Sequence, residues 1–439
     1  MARGRDRCVA DATAVVGGPT FAAGFPPAWS VSRATRTAMA YDRVMSMLML
    51  LLSVTAPQDP GHTDPTVRGE PAASAEPLRF TRRLLAVSPN EGCAIGDVDR
   101  DGRLDITAGP LWFRGPDCEA RPLREVAEID GGAYLANNGE HLVDVDGDGW
   151  LDVVSGTFFR EELRWFRNPG GTALQRGLRW VGADLGKIGV ANEITTVCDL
   201  DGDGVPEFLV NCWNDHAAVV VFRLRREEGA APRLEPFVLG SRGHGHGIGW
   251  CDLDGDGDED LVVKTCWYER PVGDPFAAPW RQHRFDDLGR ASCPMVAYDF
   301  DGDGRDELVV GRAHGYGLDR LLPTMRDGEL QLARQPIDAS FSQAHALLLV
   351  DLLGDGRPGI VTGKRVRAHE GKDPGADDPT CLYYFRYDPA AARFVRHTIA
   401  AGDGVGTGLQ IRSGDLDGDG ALDLVVSGKT GTWLLLQRR

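Results

Sequence analysis

Seven times along the chain, an aspartate-rich loop of one design runs into an apolar stretch. The copies are DVDRDGRLDITAG from Asp97, DVDGDGWLDVVSG from Asp144, DLDGDGVPEFLVN from Asp199, DLDGDGDEDLVVK from Asp252, DFDGDGRDELVVG from Asp299, DLLGDGRPGIVTG from Asp351 and DLDGDGALDLVVSG from Asp415. Every copy has aspartate at position one, an apolar residue at two, aspartate at five, glycine at six and an apolar residue at ten. The starts lie 47 to 64 residues apart, room for a four-stranded antiparallel sheet and its loops. Between them run β-rich or apolar segments such as Val219–Phe222 and Leu347–Val350, and no long amphipathic helix pattern. Four-stranded units repeated around an axis make a β-propeller. The expected fold is therefore all-β, with seven blades.

A ring needs a closure. RFTRRLLA, Arg79 to Ala86, precedes the first repeat, and RFVRHTIA, Arg393 to Ala400, precedes the seventh; the two share Arg, Phe, Arg and Ala at the same internal positions. The sequence ends at TWLLLQRR, one strand short of a full last blade. The N-terminal strand is thus expected to complete blade seven and remove the open sheet edge.

The loops have the chemistry of hard-cation sites. Oxygen ligands at positions one, three, five and nine, with a backbone carbonyl at seven, can wrap an ion of calcium size. The glycine at six permits the tight turn. Six copies offer the full side-chain set: Asp97, Asp99, Asp101 and Asp105; Asp144, Asp146, Asp148 and Asp152; Asp199, Asp201, Asp203 and Glu207; Asp252, Asp254, Asp256 and Asp260; Asp299, Asp301, Asp303 and Glu307; Asp415, Asp417, Asp419 and Asp423. In blade six Leu353 and Gly359 replace two ligands, so this loop is expected to hold no ion. Up to six structural Ca2+ ions would neutralise about half of the loop charge. The formal net charge of -17 thus serves the ions, and it argues against a nucleic-acid partner.

The pattern D-x-D-x-D-G-x-x-D with its apolar run resembles the FG-GAP/VCBS repeat family, over about residues 79–439. That resemblance implies a calcium-binding propeller. It implies no activity, because such repeats serve adhesion modules and enzymes alike.

The N-terminal segment reads as targeting. Residues 1–38 form a non-structural extension ahead of Met39. Residues 39–56 have the layout of a signal peptide, with Arg43 before an apolar core too short for a permanent membrane span. Residues 57–76 read as a linker, and 77–439 as the propeller. A secreted or periplasmic location follows. Of nine cysteines, Cys8 falls in the extension, and the other eight leave disulfides open; Cys198 and Cys251 share one repeat position and are expected to be small buried side chains.

Six residues before each loop, where the innermost strand should meet the channel mouth, stand Glu91, Asn138, Glu193, His246, Cys293, His345 and Leu409. Near them are Asn90, Asn137, Asn192, His244, Ser292, Gln343 and Thr407. His246 should lie roughly 20 Å from its own aspartate loop, so one ion cannot use both. After the second strands, Lys264, Arg312, Lys364 and Lys429 form a basic crescent, with His314, Tyr316 and His369 close by. This set fits a polyhydroxylated or anionic ligand. It also fits ordered water on a wet axis. His244, His246 and His345, with Glu193 or Glu91, make a donor set for Zn2+ or another divalent metal.

The stretches GHGHGIGWCDLDGDG, CPMVAYDFDGDG, SQAHALLLVDL and GVGTGLQI look similar to the propeller part of aldos-2-ulose (1,5-anhydrofructose) dehydratases. The resemblance implies a metal-assisted loss of water from a keto-sugar, with His246 or His345 taking the α-proton and Lys264 or Lys364 steadying oxyanion charge. Those enzymes carry additional cupin domains, for which this chain has no room. A sugar lyase or a non-catalytic module binding a glycan or a protein partner are the alternatives.

Overall fold

The computed structural model describes residues 78–438, apart from Val190, Trp213, Gly243, His244, Asp327 and Gly328. The expected extension, signal segment and linker, and His244 with them, lie outside the described residues.

Each aspartate loop hands the chain from an innermost strand to the next strand of the same blade. In blade four the strands Ile248–Cys251, Asp260–Val263, Cys266–Glu269 and Arg281–Arg284 pair in that order, all antiparallel. Position nine always opens the second strand opposite the residue that ends the first: Gly96 faces Asp105, Val143 faces Asp152, Cys198 faces Glu207 and Gly414 faces Asp423. Among the described residues there are seven such four-stranded sheets.

The second strands are buried throughout, as in Asp152–Gly156 and Asp260–Val263. That explains their unbroken apolar character: each blade packs both faces against its neighbours. The apolar clusters confirm the ring. One cluster joins blades one and two through Trp112, Val153 and Phe166. Others join three to four through Leu209, Leu261 and Tyr268, and six to seven through Val361, Tyr384 and Leu424. The last joins blade seven back to blade one through Val425, Leu434, Ile106 and Phe113.

Closure is as the sequence predicts. The strand Arg79–Ala86 pairs antiparallel with Gly431–Arg438, from Arg79 opposite Arg438 to Ala86 opposite Thr432, and is the outermost strand of blade seven. No helix among the described residues is long and apolar enough to cross a membrane.

The loops share one hydrogen-bond scheme. The position-one carboxylate accepts from the N–H of the position-six glycine, at 2.9 Å for Asp97 and Gly102 and 3.1 Å for Asp252 and Gly257. The glycines at six have φ of 81 to 99°, which an L side chain rarely adopts. The position-nine carboxylate points into the blade. Asp152 accepts from Val145 N at 3.0 Å and Asn168 N at 2.7 Å, and Asp260 from Leu253 N at 3.1 Å and Arg270 N at 3.0 Å. Burial, outweighing these N–H donors, pushes both carboxyls up to about 7.

Candidate metal centre at the channel mouth

Where the innermost strands of blades three to six begin, four side chains converge. Glu193 precedes the strand Ile194–Cys198, His246 precedes Ile248–Cys251, and His345 lies in Ala344–Val350. The fourth is His314, from the turn between the second and third strands of blade five, Glu307–Gly311 and Tyr316–Arg326. His345 Nε2 is 3.1 Å from one Glu193 oxygen, and His246 Nε2 is 3.3 Å from the other. His314 Nε2 lies 2.9 Å from His246 Nε2. One donor atom from each of the four falls within 4.8 Å of all the others.

The outer ring nitrogens fix the proton positions. His246 Nδ1 is 2.6 Å from Ala291 O, and a carbonyl only accepts, so this nitrogen carries a hydrogen. His314 Nδ1 is 3.0 Å from the Asp373 carboxylate, which accepts from it in the same way. A neutral His246 would therefore turn a lone pair toward the lone pair of His314 and the carboxylate of Glu193. Such an arrangement requires a positive charge among them: a proton or a metal ion. Burial pushes His345 down to about 3 and His314 down to about 4, so both are neutral at pH 7. His246 is also disfavoured as a cation by burial, but Glu193, with Cys293 beside it, more than reverses this and holds it well above the ordinary range. A single proton on His246 or one divalent ion can thus fill the centre.

The donor set fits a metal. Three imidazoles and a carboxylate suit zinc, and the observed separations approach the about 3.3 Å edge of a tetrahedron with ~2.0 Å bonds. The oxygen partners at two outer nitrogens are the usual outer support of metal-bound histidines. His345 Nδ1 is buried without a hydrogen-bond partner.

A second layer surrounds this centre. Arg365 grips Glu91 with Nε to Oε1 at 2.8 Å and Nη2 to Oε2 at 3.0 Å, and its Nη1 lies 3.6 Å from Glu193. Burial pushes the Glu91 carboxyl up, but Arg365 and Lys429 outweigh it and bring it to about 2. Asp373 also accepts from His369 Nδ1 at 3.2 Å, and the His369 ring stacks on His314 at 4.4 Å. Gln343, Arg367 and His369 take φ of 60, 50 and 47°, a cluster of left-handed non-glycine residues at this rim.

The other expected residues are placed as follows. Lys429 Nζ donates to Arg367 O at 2.8 Å and sits 3.8 Å from the Tyr134 ring centroid; burial lowers it to about 8. Lys364 is buried, donating to Gln343 Oε1 at 2.7 Å and to Gly375 O. Lys264 is held by Asp215 at 2.7 Å and Asp287 at 3.6 Å, and Arg312 by Asp319 at 3.1 Å, so neither joins the centre. Tyr316 donates to Asp378 at 2.6 Å, and Asn138 Oδ1 accepts from Phe158 N at 3.1 Å. On the side of blades one and two the polar ring satisfies itself: Asn137 donates to Asn90 at 2.6 Å, and Asn90 to Ser427 Oγ at 2.9 Å.

Sequence reasoning missed Arg365 and Asp373. Both belong to the blade-six segment after Lys364, which has no counterpart in other repeats. The adjacency of Arg365 to the crescent and the i, i+4 spacing of His369 and Asp373 were the available signals. It also missed the arginines over the aspartate loops. Arg114 reaches Asp99 at 2.5 Å and Asp101 at 2.7 Å, Arg167 reaches Asp146 at 2.6 Å and Asp148 at 3.0 Å, and Arg438 reaches Asp417 at 3.0 Å. The loop carboxylates of blades one, two and five also form groups able to hold a metal.

Residues 144–210 and 199–263 match the family model of the FG-GAP-like repeat. The protein thus carries FG-GAP-like repeats in a seven-bladed β-propeller, with acidic and histidine groups able to hold metal ions. No curated protein matches the chain. Many solved structures are similar at low identity, and three of them illustrate the range. A putative phosphatase from Bacteroides thetaiotaomicron is 10% identical, with TM-score 0.42, covering 82% of this chain and 79% of that one. An Agrocybe aegerita lectin that recognises non-reducing terminal N-acetylglucosamine is 15% identical, with TM-score 0.39, covering 82% and 86%. The Photorhabdus luminescens Tc holotoxin pore is 16% identical, with TM-score 0.34; the match covers 77% of this chain and 16% of the toxin chain. The resemblance to the dehydratases finds no support among these matches.

Proposed function

We propose that this protein is an extracytoplasmic, carbohydrate-active propeller whose working centre is a divalent metal held by Glu193, His246, His314 and His345, with calcium stiffening up to six aspartate loops. The observation that carries the reading is the approach of two Nε2 atoms to 2.9 Å, with the outer nitrogen of each ring already committed to an oxygen.

When bound, the metal would supply Lewis acidity toward a sugar oxygen, the electrophilic help that a metal-assisted carbon–oxygen lyase on keto-sugars or uronides uses. Given to the metal, His246 and His345 are no longer free bases. Arg365 holds Glu91 and steadies the charge on Glu193. Lys429, near 8, can hold or release a proton close to neutral pH and offers a cation to an anionic sugar group.

The test is to count zinc and calcium per chain, then incubate the protein with keto-sugars and uronides while following enone absorbance. Activity that needs the metal and disappears in His345→Ala supports a lyase. Saturable glycan binding without enone formation would instead make it a binding module. A chain holding no transition metal after zinc loading would sink the central claim.

A further inference from the structure

Away from the channel mouth, a cavity of about 270 Å³ opens between blades one and two. Arg124, Glu125, Arg160, Glu162, Arg164 and Phe166 line it, together with the Ser155–Thr157 corner at the end of the second strand of blade two. None of these belongs to the metal centre.

The wall is built, not incidental. Arg124 is only 2% exposed. Its Nη2 donates to Glu140 at 2.7 Å and its Nε to Gly109 O at 3.1 Å, while Nη1 is buried without a partner. Its guanidinium lies 4.4 Å from the Phe166 centroid, and that of Arg164 lies 5.1 Å away, so both cations rest against the ring. Arg164 is braced in turn by Asp184 at 3.4 Å.

The charge pattern selects the ligand. Guanidiniums only donate hydrogen bonds and ionised carboxylates only accept them. Three arginines and two glutamates contribute to this wall; Glu140 already offsets Arg124, Asp184 offsets Arg164, and Glu125 turns to Arg179. An anion would have to sit beside the carboxylate of Glu162. A hydroxyl group, donor and acceptor at once, can serve both kinds of neighbour. The volume lies just under the about 300 Å³ at which ligand sites start, and admits one ring, not a chain of them.

We propose that this cavity is a binding subsite for a single neutral monosaccharide unit, distinct from the metal centre. It shares the carbohydrate reading of the protein but not the metal. The experiment titrates the full chain with methyl glycosides of glucose, galactose, mannose and N-acetylglucosamine, and with glucuronate and inorganic sulfate, by calorimetry and by crystal soaking. One neutral glycoside should bind saturably in this cavity. Arg160→Ala and Glu162→Gln, which lie toward the solvent side, should each weaken it by about tenfold, with bound zinc per chain unchanged. Absence of binding by every neutral glycoside, tighter binding of glucuronate or sulfate, or indifference to both substitutions overturns the proposal. A chain that takes up zinc but no glycoside refutes this subsite alone, and one that binds glycoside but no zinc refutes the metal centre alone.

Discussion

Arg365 shows how much one side chain can hold at a crowded axis. It is buried between Glu91 and Glu193, and removing it leaves carboxylates without their counter-charge. Arg365→Ala should cost about 3 to 5 kcal/mol in urea unfolding, while Glu91→Gln costs less. The pH dependence has a definite sign. Glu91 ionises more readily in the folded state, at about 2 against an ordinary value of 4.5. Its contribution is complete above about 4.5 and is lost as the pH falls toward 2; a Glu91→Gln chain should lack that part of the acid transition. Asp373→Asn keeps the shape but weakens the anchor of His314, and should lower zinc affinity by about 10- to 100-fold in a chelator competition. Of this centre, Glu193, His246 and His345 were legible in the sequence because they share one offset from the repeat. His314 was placed only as a neighbour, since its contact with His246 depends on how one turn folds over the next blade. Arg365 and Asp373 were not legible, because blade six departs from the repeat there.

The aspartate loop is one element with two layers. Its rim carboxylates are exposed or half-buried, and its position-nine carboxylate is a buried splice for the backbone. Asp152→Ala strands the N–H groups of Val145 and Asn168, so it should cost roughly 3 kcal/mol whether or not calcium is present. Asp148→Ala, at the rim, loses an exposed pair with Arg167 and a bond from Trp150 N, and should cost under about 1 kcal/mol without calcium and more with it. Thermal unfolding with and without a chelator separates the two. Blade six cannot be repaired by restoring its missing ligand. A Cβ on Gly359 would lie 2.5 Å from Phe385 O and 2.6 Å from the Tyr384 ring. Gly359→Asp should therefore destabilise by about 1 to 3 kcal/mol or more without gaining an ion. The sequence singled out the carboxylates of these loops but not their division of labour, because burial is a property of the packed blade. Nor did it show that Arg114, Arg167 and Arg438 lean over the same oxygens, since each stands at the end of the blade's third strand, many residues from its loop.

At the scale of the molecule, period and closure were both readable from the chain, because each blade repeats one apolar design and the flanking strands match. A chain begun at Val87, lacking Arg79–Ala86, should expose Gly431–Arg438 as an edge, lower the unfolding temperature and associate with rising concentration in light scattering. The same pairing has a temporal side. Arg438 Nε meets Thr81 Oγ1 at 3.0 Å across 357 positions of sequence. Arg79–Ala86 must therefore wait, unpaired, until the ribosome has delivered Gly431–Arg438, and a nascent chain cannot close its ring before then.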